Sequence, residues 1–279
     1  MNQHFPVKLL QVGRNKDVFK RIIWISLTLN LVAFVFVAKR IYWSCFRRVV
    51  ETKQQVAPMK YWANRDELFA KLPTDSNDII FLGNSLTQYF ELAELFQNPH
   101  VKNRGIAGDK TDGVLDRLGA ITKGNPSKVF IEIGVNDLGH KIPTDSILKN
   151  YCAVLDTLKR RCPKTNIYIQ SVLPVADSSN VLNADYCSAG TNKSIEAINQ
   201  RLKVIASDKN VTYIDIHSHF QESGHLKPAY TFDGVHLTGD GYLLWTKLLL
   251  PYVNSEDAKD KMGNRSANQQ KTDLRVVKE

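Results

Sequence analysis

Five short β-rich runs, separated by stretches with helical periodicity, decide what this chain can fold into. The runs are DIIFLGN (78–84), a weaker HVKNRG (100–105), KVFIEIG (128–134), NIYIQSV (166–172) and VTYIDI (211–216). Around them the spacing predicts helices over 61–71, 86–96, 111–123, 144–160, 189–207 and 239–252. Strands that are apolar throughout must be covered on both faces, and a helix between successive strands is the connection that parallel pairing needs. The expected fold class is therefore α/β, a three-layer α/β/α sandwich around a five-stranded parallel sheet. Ligands collect beyond the carboxyl ends of such strands. The first run leads directly into Ser85, which places a hydroxyl at that edge.

Charge separates the rest of the chain from this block. Of the formal net charge of +9, nearly all lies in residues 1–53, where ten Lys and Arg face only Asp17 and Glu51. The remainder is close to neutral, so a nucleic-acid surface on the folded part is not expected. The basic residues instead flank IIWISLTLNLVAFVFVA (22–38), which carries no charge. At 1.5 Å per residue it spans roughly 26 Å, and snorkelling basic ends with Ile41–Trp43 extend it to a hydrocarbon core of about 30 Å. Trp24, Tyr42 and Trp43 suit interfacial anchoring. No small-x-small cleavage site follows, so residues 22–43 are expected to be a retained transmembrane anchor rather than a signal peptide. A buried core helix is the other reading, to which Ser26, Thr28 and Asn30 lend weight. The expected layout is a basic segment (1–21), the anchor (22–43), a juxtamembrane linker (44–59), one globular domain (60–253) and a disordered polar tail (254–279).

Lys8, Arg14, Lys16, Lys20 and Arg21 on one side balance Lys39, Arg40, Arg47, Arg48 and Lys53 on the other, so positive-inside bias gives no orientation. The working expectation is an extracytoplasmic domain. Cys152 and Cys162 would stand about 15 Å apart on one helix, too far for a disulfide unless that helix ends early.

A serine hydroxyl becomes a nucleophile only when a base takes its proton and a carboxylate orients that base. TFDGVHLTGDGYLLW offers Asp233 and His236, three residues apart in a glycine-containing turn that Thr238 can close as a helix cap. Acyl transfer also needs donors for an oxyanion. NRGIAGD brings Gly108, whose backbone can approach a ligand, and GVND brings the Asn136 amide; as plain turn and cap residues both have structural uses too.

Together, FLGNSL, NRGIAGD, GVND and DGVHL resemble, in order, the four blocks of the SGNH or GDSL hydrolases, and the resemblance runs from about Tyr61 to Tyr252. It implies a flavodoxin-like sheet of order 2-1-3-4-5. It also implies Ser85 as nucleophile, His236 as base then acid, Asp233 as its orienting partner, and an oxyanion hole from Ser85 N–H, Gly108 and Asn136, with no cofactor or metal. The family's usual Asp before the serine is Asn84 here, which implies altered local hydrogen bonding.

The expected activity is that of a membrane-anchored serine esterase acting on a short acyl group, such as O-acetyl on a carbohydrate. The stretch 173–194, poor in bulky apolar residues, is expected to wall the pocket. Lysophospholipid or acyl-thioester hydrolysis and a non-catalytic glycan- or lipid-binding module are the alternatives, the last having no need for Ser85, Asp233 and His236 together. His217 and His219 have the H-x-H form of some metal sites but lack companions, and His140 could line the cleft. Glu132, a charge in a buried strand, is expected to meet an Arg or Lys at the sheet edge.

Overall fold

The computed structural model describes residues 16–177 and 186–255. The chain divides into two units, residues 1–59 and 60–279. Helix α1 (Lys16–Lys71) accounts for the described part of the first and opens the second, so the stretch expected as a linker is helical. Within it, Phe19–Tyr42 has a mean hydropathy of 2.0 and none of it is buried, so it is no core helix. Its polar side chains are satisfied locally. Thr28 Oγ1 donates to Trp24 O (3.0 Å), and Asn30 Nδ2 donates to Ser26 O (2.9 Å). Such a helix has the length and composition to cross a membrane. The polar tail lies outside the described residues from 256 onward.

In the second unit the strands are β1 (Ile79–Gly83), β2 (Val101–Gly105), β3 (Lys128–Glu132), β4 (Asn166–Gln170) and β5 (Thr212–Ile214). They form one parallel sheet in the order β2-β1-β3-β4-β5, as the resemblance implied. Every residue of β1 and β3 is buried. On one face Phe81, Phe130 and Tyr168, which are register partners, stack across three strands with ring centroids 4.6 and 4.4 Å apart. Each such pair contributes about 1 kcal/mol beyond its buried area.

The remaining helices are α2 (Ser85–Gln88), α3 (Leu92–Leu95), α4 (Thr111–Asp116), α5 (Leu118–Thr122), α6 (Val135–Gly139), α7 (Thr144–Arg161), α8 (Ala189–Asp208), α9 (His217–Phe220) and α10 (Gly239–Val253). A small hairpin, β6 (Gln221–Glu222) with β7 (His225–Leu226), precedes α10. The Thr238 hydroxyl accepts from Gly241 N–H and caps α10. At the other end of α10, the buried Lys128 ammonium donates to Val253 O (2.8 Å), a favourable place for a cation.

Two expected helices are broken, each by a tertiary contact. The helix over 86–96 divides into α2 and α3 because Asn103 Nδ2, reaching from β2, takes the carbonyls of Thr87 (2.7 Å) and Phe90 (3.0 Å). The helix over 111–123 breaks at Arg117, whose side chain turns inward to Asp109 and to Gly83 O. Cys162 caps the end of α7, and Cys152, Cys162 and Cys187 are free thiols.

Candidate active site

The serine is delivered by close packing at two strand ends. Gly83 and Gly105 are register partners. A Cβ on Gly83 would lie 2.2 Å from Thr87 Oγ1 and 2.4 Å from Glu132 O; one on Gly105 would lie 2.3 Å from Gln88 N. Gly83 is thus required for space against the first turn of α2, not for a positive φ. Asn84 is fully buried, and its Oδ1 accepts Leu86 N–H (2.9 Å) as the cap of α2. An amide in this place makes the capping bond without burying a charge. Ser85 follows as the first residue of α2, where a backbone N–H has no intrahelical acceptor.

The turn before α10 supplies the imidazole. Ser85 Oγ lies 2.8 Å from His236 Nε2, and His236 Nδ1 lies 2.5 Å from Asp233 Oδ2. The other carboxylate oxygen of Asp233 accepts the N–H groups of Val235 (3.0 Å) and His236 (2.7 Å), so the carboxylate shapes the turn that carries the ring. Gly234, at φ +95°, makes that turn possible. Burial would raise the Asp233 carboxyl, but the hydrogen bonds from the His236 ring and from these two N–H groups outweigh it, and its pKa is lowered. An ionised Asp233 selects the Nδ1–H tautomer and leaves the Nε2 lone pair towards Ser85 Oγ. The rings of Tyr89 and Phe232 flank the imidazole, with centroids 5.3 and 6.1 Å away.

Gly108 and Asn136 face the same hollow. Gly108 has φ +80°, no atom lies within 4 Å of where its Cβ would be, and the turn hydrogen bond from Asp109 N–H to Ile106 O bypasses its N–H. Asn136 Nδ2 donates to Asp109 O (2.8 Å), which fixes the amide and leaves its second N–H available. Ser85, Tyr89, Gly108, Asn136, Tyr186 and His236 are among the lining of a cavity of about 200 Å³. The four separated segments therefore meet at one point. This arrangement can hold a carbonyl carbon against a hydroxyl that shares a hydrogen bond with a base, with amide donors beside it.

Other expected features fall elsewhere. The exposed His140 ends α6 and does not line this cavity. His217 lines a cleft with Glu196 and Asp215, and the exposed His219 is not in its lining. Among the described residues, the one grouping with metal-ligand spacing is Asp75, Asp78 and His100, at the opposite, amino-terminal edge of β1 and β2. The expected partner of Glu132 is not there. Its carboxylate is wholly buried with no Arg or Lys against it among the described residues, and burial, only partly opposed by the Leu173 backbone N–H, pushes its pKa up to about 8.

Within the 173–194 stretch expected to wall the pocket it is Tyr186 that does so, while the Trp62 and Arg117 contacts behind Gly108 had no signal in the sequence. Tyr186 packs so closely on Gly139 that a Cβ there would lie 2.1 Å from the ring, and this places Tyr186 in the cavity wall. The buried Asp109–Arg117 pair (2.8 Å) sits directly behind Gly108. Burial pushes the Asp109 carboxyl up, opposed by the Arg117 charge and by the Trp62 ring N–H. Part of the stretch expected to wall the pocket, residues 178–185, lies outside the described residues. Its described ends contribute Tyr186 to the cavity and Ala176 and Asp177 to a second hollow of about 440 Å³, whose lining includes Phe232 and Gly234 of the turn that carries His236.

A parallel sandwich with a serine, histidine and aspartate converging at the carboxyl edge defines the class as that of the α/β/α acylhydrolases. Residues 81–244 match the model of the GDSL-like Lipase/Acylhydrolase family, and the chain belongs to that family. The rat protein named platelet-activating factor acetylhydrolase IB subunit alpha2 is 31% identical over 173 residues, covering 59% of this chain and 71% of that one. A solved structure from Streptococcus pneumonia, ascribed provisionally to platelet activating factor, has 29% identity and a TM-score of 0.68 over 74% of this chain and 98% of its own. A GDSL-like lipase from Bacteroides thetaiotaomicron shares the fold, with 22% identity and a TM-score of 0.61 over 69% of this chain and 96% of its own. Ester hydrolysis is the chemistry that goes with the family.

Proposed function

We propose that this protein is a membrane-anchored serine esterase that removes a short acyl group, acetyl foremost, from a polar carrier. The observation that carries the proposal is the continuous hydrogen-bonded line from Ser85 Oγ through the His236 ring to Asp233, opening on a small cavity lined by Gly108 and Asn136. In the proposed cycle Ser85 Oγ attacks the ester carbonyl carbon as His236 Nε2 takes its proton, and Asp233 holds the resulting imidazolium. The carbonyl oxygen gains negative charge and accepts from Ser85 N–H, Gly108 N–H and Asn136 Nδ2. Collapse breaks the bond to the alcohol oxygen, which receives the proton from His236. Water then repeats the sequence on the acyl-enzyme, releasing the acid and restoring Ser85. No cofactor or metal enters these steps.

The preference for a short acyl group rests on the size of the cavity and on Tyr89 and Tyr186 in its walls, and it accords with a relative named as an acetylhydrolase. The larger adjoining hollow, with Asp177, Glu222 and His225 in its lining, suits a polar alcohol portion. A second reading is an ester carried by lipid, favoured by the exposure of Tyr89 and Phe232 beside the imidazole. Residues 22–43 would anchor the enzyme, with the domain expected outside the cytoplasm.

A series of p-nitrophenyl esters from acetyl to decanoyl, given to the full-length protein in detergent, tests the reading. The predicted kcat/KM is greatest for acetyl and falls by about tenfold or more by octanoyl, the scale of discrimination that a tight pocket provides. Ser85→Ala should show none of this activity. A rise with chain length would reject the short-acyl assignment, and an equally active Ser85→Ala protein would reject the nucleophile.

A further inference from the structure

The loop that carries Gly108 is held from outside the four motif blocks. Gln88 Oε1 accepts both Ala107 N–H (2.8 Å) and the Tyr61 hydroxyl (2.9 Å). Two residues along, Asp109 Oδ1 accepts Lys110 N–H (3.0 Å) and Trp62 Nε1–H (2.9 Å). Asp109 Oδ2 accepts Arg117 Nε–H (2.8 Å), and the same guanidinium donates to Gly83 O (3.1 Å), next to the nucleophile turn. The backbone carbonyl of Asp109 accepts Asn136 Nδ2–H (2.8 Å). Asp109, itself the residue after Gly108, thus touches the Lys110 N–H, the Asn136 amide and the Trp62 indole.

The packing around this junction is close. A Cβ on Gly113 would lie 2.1 Å from Asp109 Oδ1 and 3.3 Å from Trp62 Nε1, so Gly113 leaves the indole N–H room to reach the carboxylate. Asp109 is 2% exposed, and a buried carboxylate deprived of one donor must shift to find another. Any shift moves the carbonyl that holds Asn136 and the backbone that carries Gly108.

We propose that Trp62, assisted by Tyr61, is a positioning residue for the two oxyanion donors Gly108 and Asn136, acting through Asp109 and Gln88. It touches no reacting atom. These two residues stand at the very start of the second unit, two and three positions after Met59, and side-chain hydrogen bonds fasten them to the oxyanion loop of the same unit. The inference rests on the assignment of Ser85 as nucleophile.

The test uses the full-length chain in detergent, with wild type, Ser85→Ala, Trp62→Phe and Tyr61→Phe compared on p-nitrophenyl acetate. Phe at position 62 keeps the ring in the packing and removes the N–H. A misplaced donor weakens the transition state more than the Michaelis complex, so Trp62→Phe should lower kcat about tenfold with KM changed less than about twofold. Its second-order rate of labelling by a fluorophosphonate, whose phosphoryl oxygen needs the same donors, should fall in parallel. A purely structural role would lower the fraction of labelled protein without changing the labelling rate of what is folded. Unchanged kcat and labelling rate in Trp62→Phe overturn the proposal. If Trp62→Phe does not fold, Tyr61→Phe decides: a drop of about threefold in kcat at constant KM supports the proposal, and unchanged kcat overturns it. Esterase activity that survives in Ser85→Ala rejects the nucleophile assignment itself, a result distinct from an inert Trp62→Phe in a Ser85-dependent enzyme.

Discussion

Glu132 shows how burial changes the chemistry of a single side chain. With its pKa pushed up to about 8 by desolvation, it is mostly neutral in the folded protein at pH 7, whereas in the unfolded chain it ionises near the ordinary value of 4.5. Between these values the folded state binds the extra proton, so stability falls as pH rises and levels off above about pH 8. The span corresponds to on the order of 5 kcal/mol. Glu132→Gln should flatten this slope and leave the variant more stable than wild type at pH 8.5, as read by thermal unfolding at pH 5, 7 and 8.5. An unchanged slope would mean that Glu132 is ionised in the fold. The expectation of an Arg or Lys partner assumed a carboxylate, and sequence shows that a position is buried without showing which protonation state results. Ser85, Asp233 and His236 were legible because each stands in a short block whose residue types have one joint chemical use. Tyr186 was legible only as part of the 173–194 stretch expected to wall the pocket, and Trp62 was not, because an aromatic residue in a helix carries no sign of which polar group it will reach.

At the scale of elements, the strands were legible because β1, β3 and β4 carry unbroken apolar runs (Ile79–Leu82, Val129–Ile131 and Ile167–Ile169), which a parallel sheet covered on both faces accommodates. The two broken helices were not. Periodicity follows the face of a helix, whereas Asn103 and Arg117 act across elements and take up the carbonyls or space that the helix would have used. The Gly83–Gly105 pair belongs to the same level, since two facing glycines let α2 pack directly on the strand ends. Gly83→Ala would force a methyl group against Thr87 Oγ1 and a backbone carbonyl. Overpacking of this kind costs about 2 kcal/mol, so the melting temperature should fall by about 4–8 °C with a larger proportional loss of esterase activity. A melting temperature equal to wild type would show that α2 yields freely.

For the whole molecule, two physical problems are solved by two units: an exposed apolar helix, and a sandwich whose sheet edge gathers the proposed site. The helix was legible from length, flanking charge and aromatic ends, and the structure adds that Thr28 and Asn30 satisfy themselves within it. Full-length protein should stay with the membrane fraction through an alkaline carbonate wash, while a chain lacking residues 1–59 should be released; equal release of both would remove the anchor from the account. Orientation was not legible because the flanking charges balance.

Mass spectrometry after treatment with a fluorophosphonate tests residue 85 as the nucleophile without any choice of substrate. One adduct per chain is expected, on the peptide containing Ser85, absent from both Ser85→Ala and His236→Ala. An adduct that persists in Ser85→Ala, or a folded wild-type protein that takes up none, would contradict that assignment.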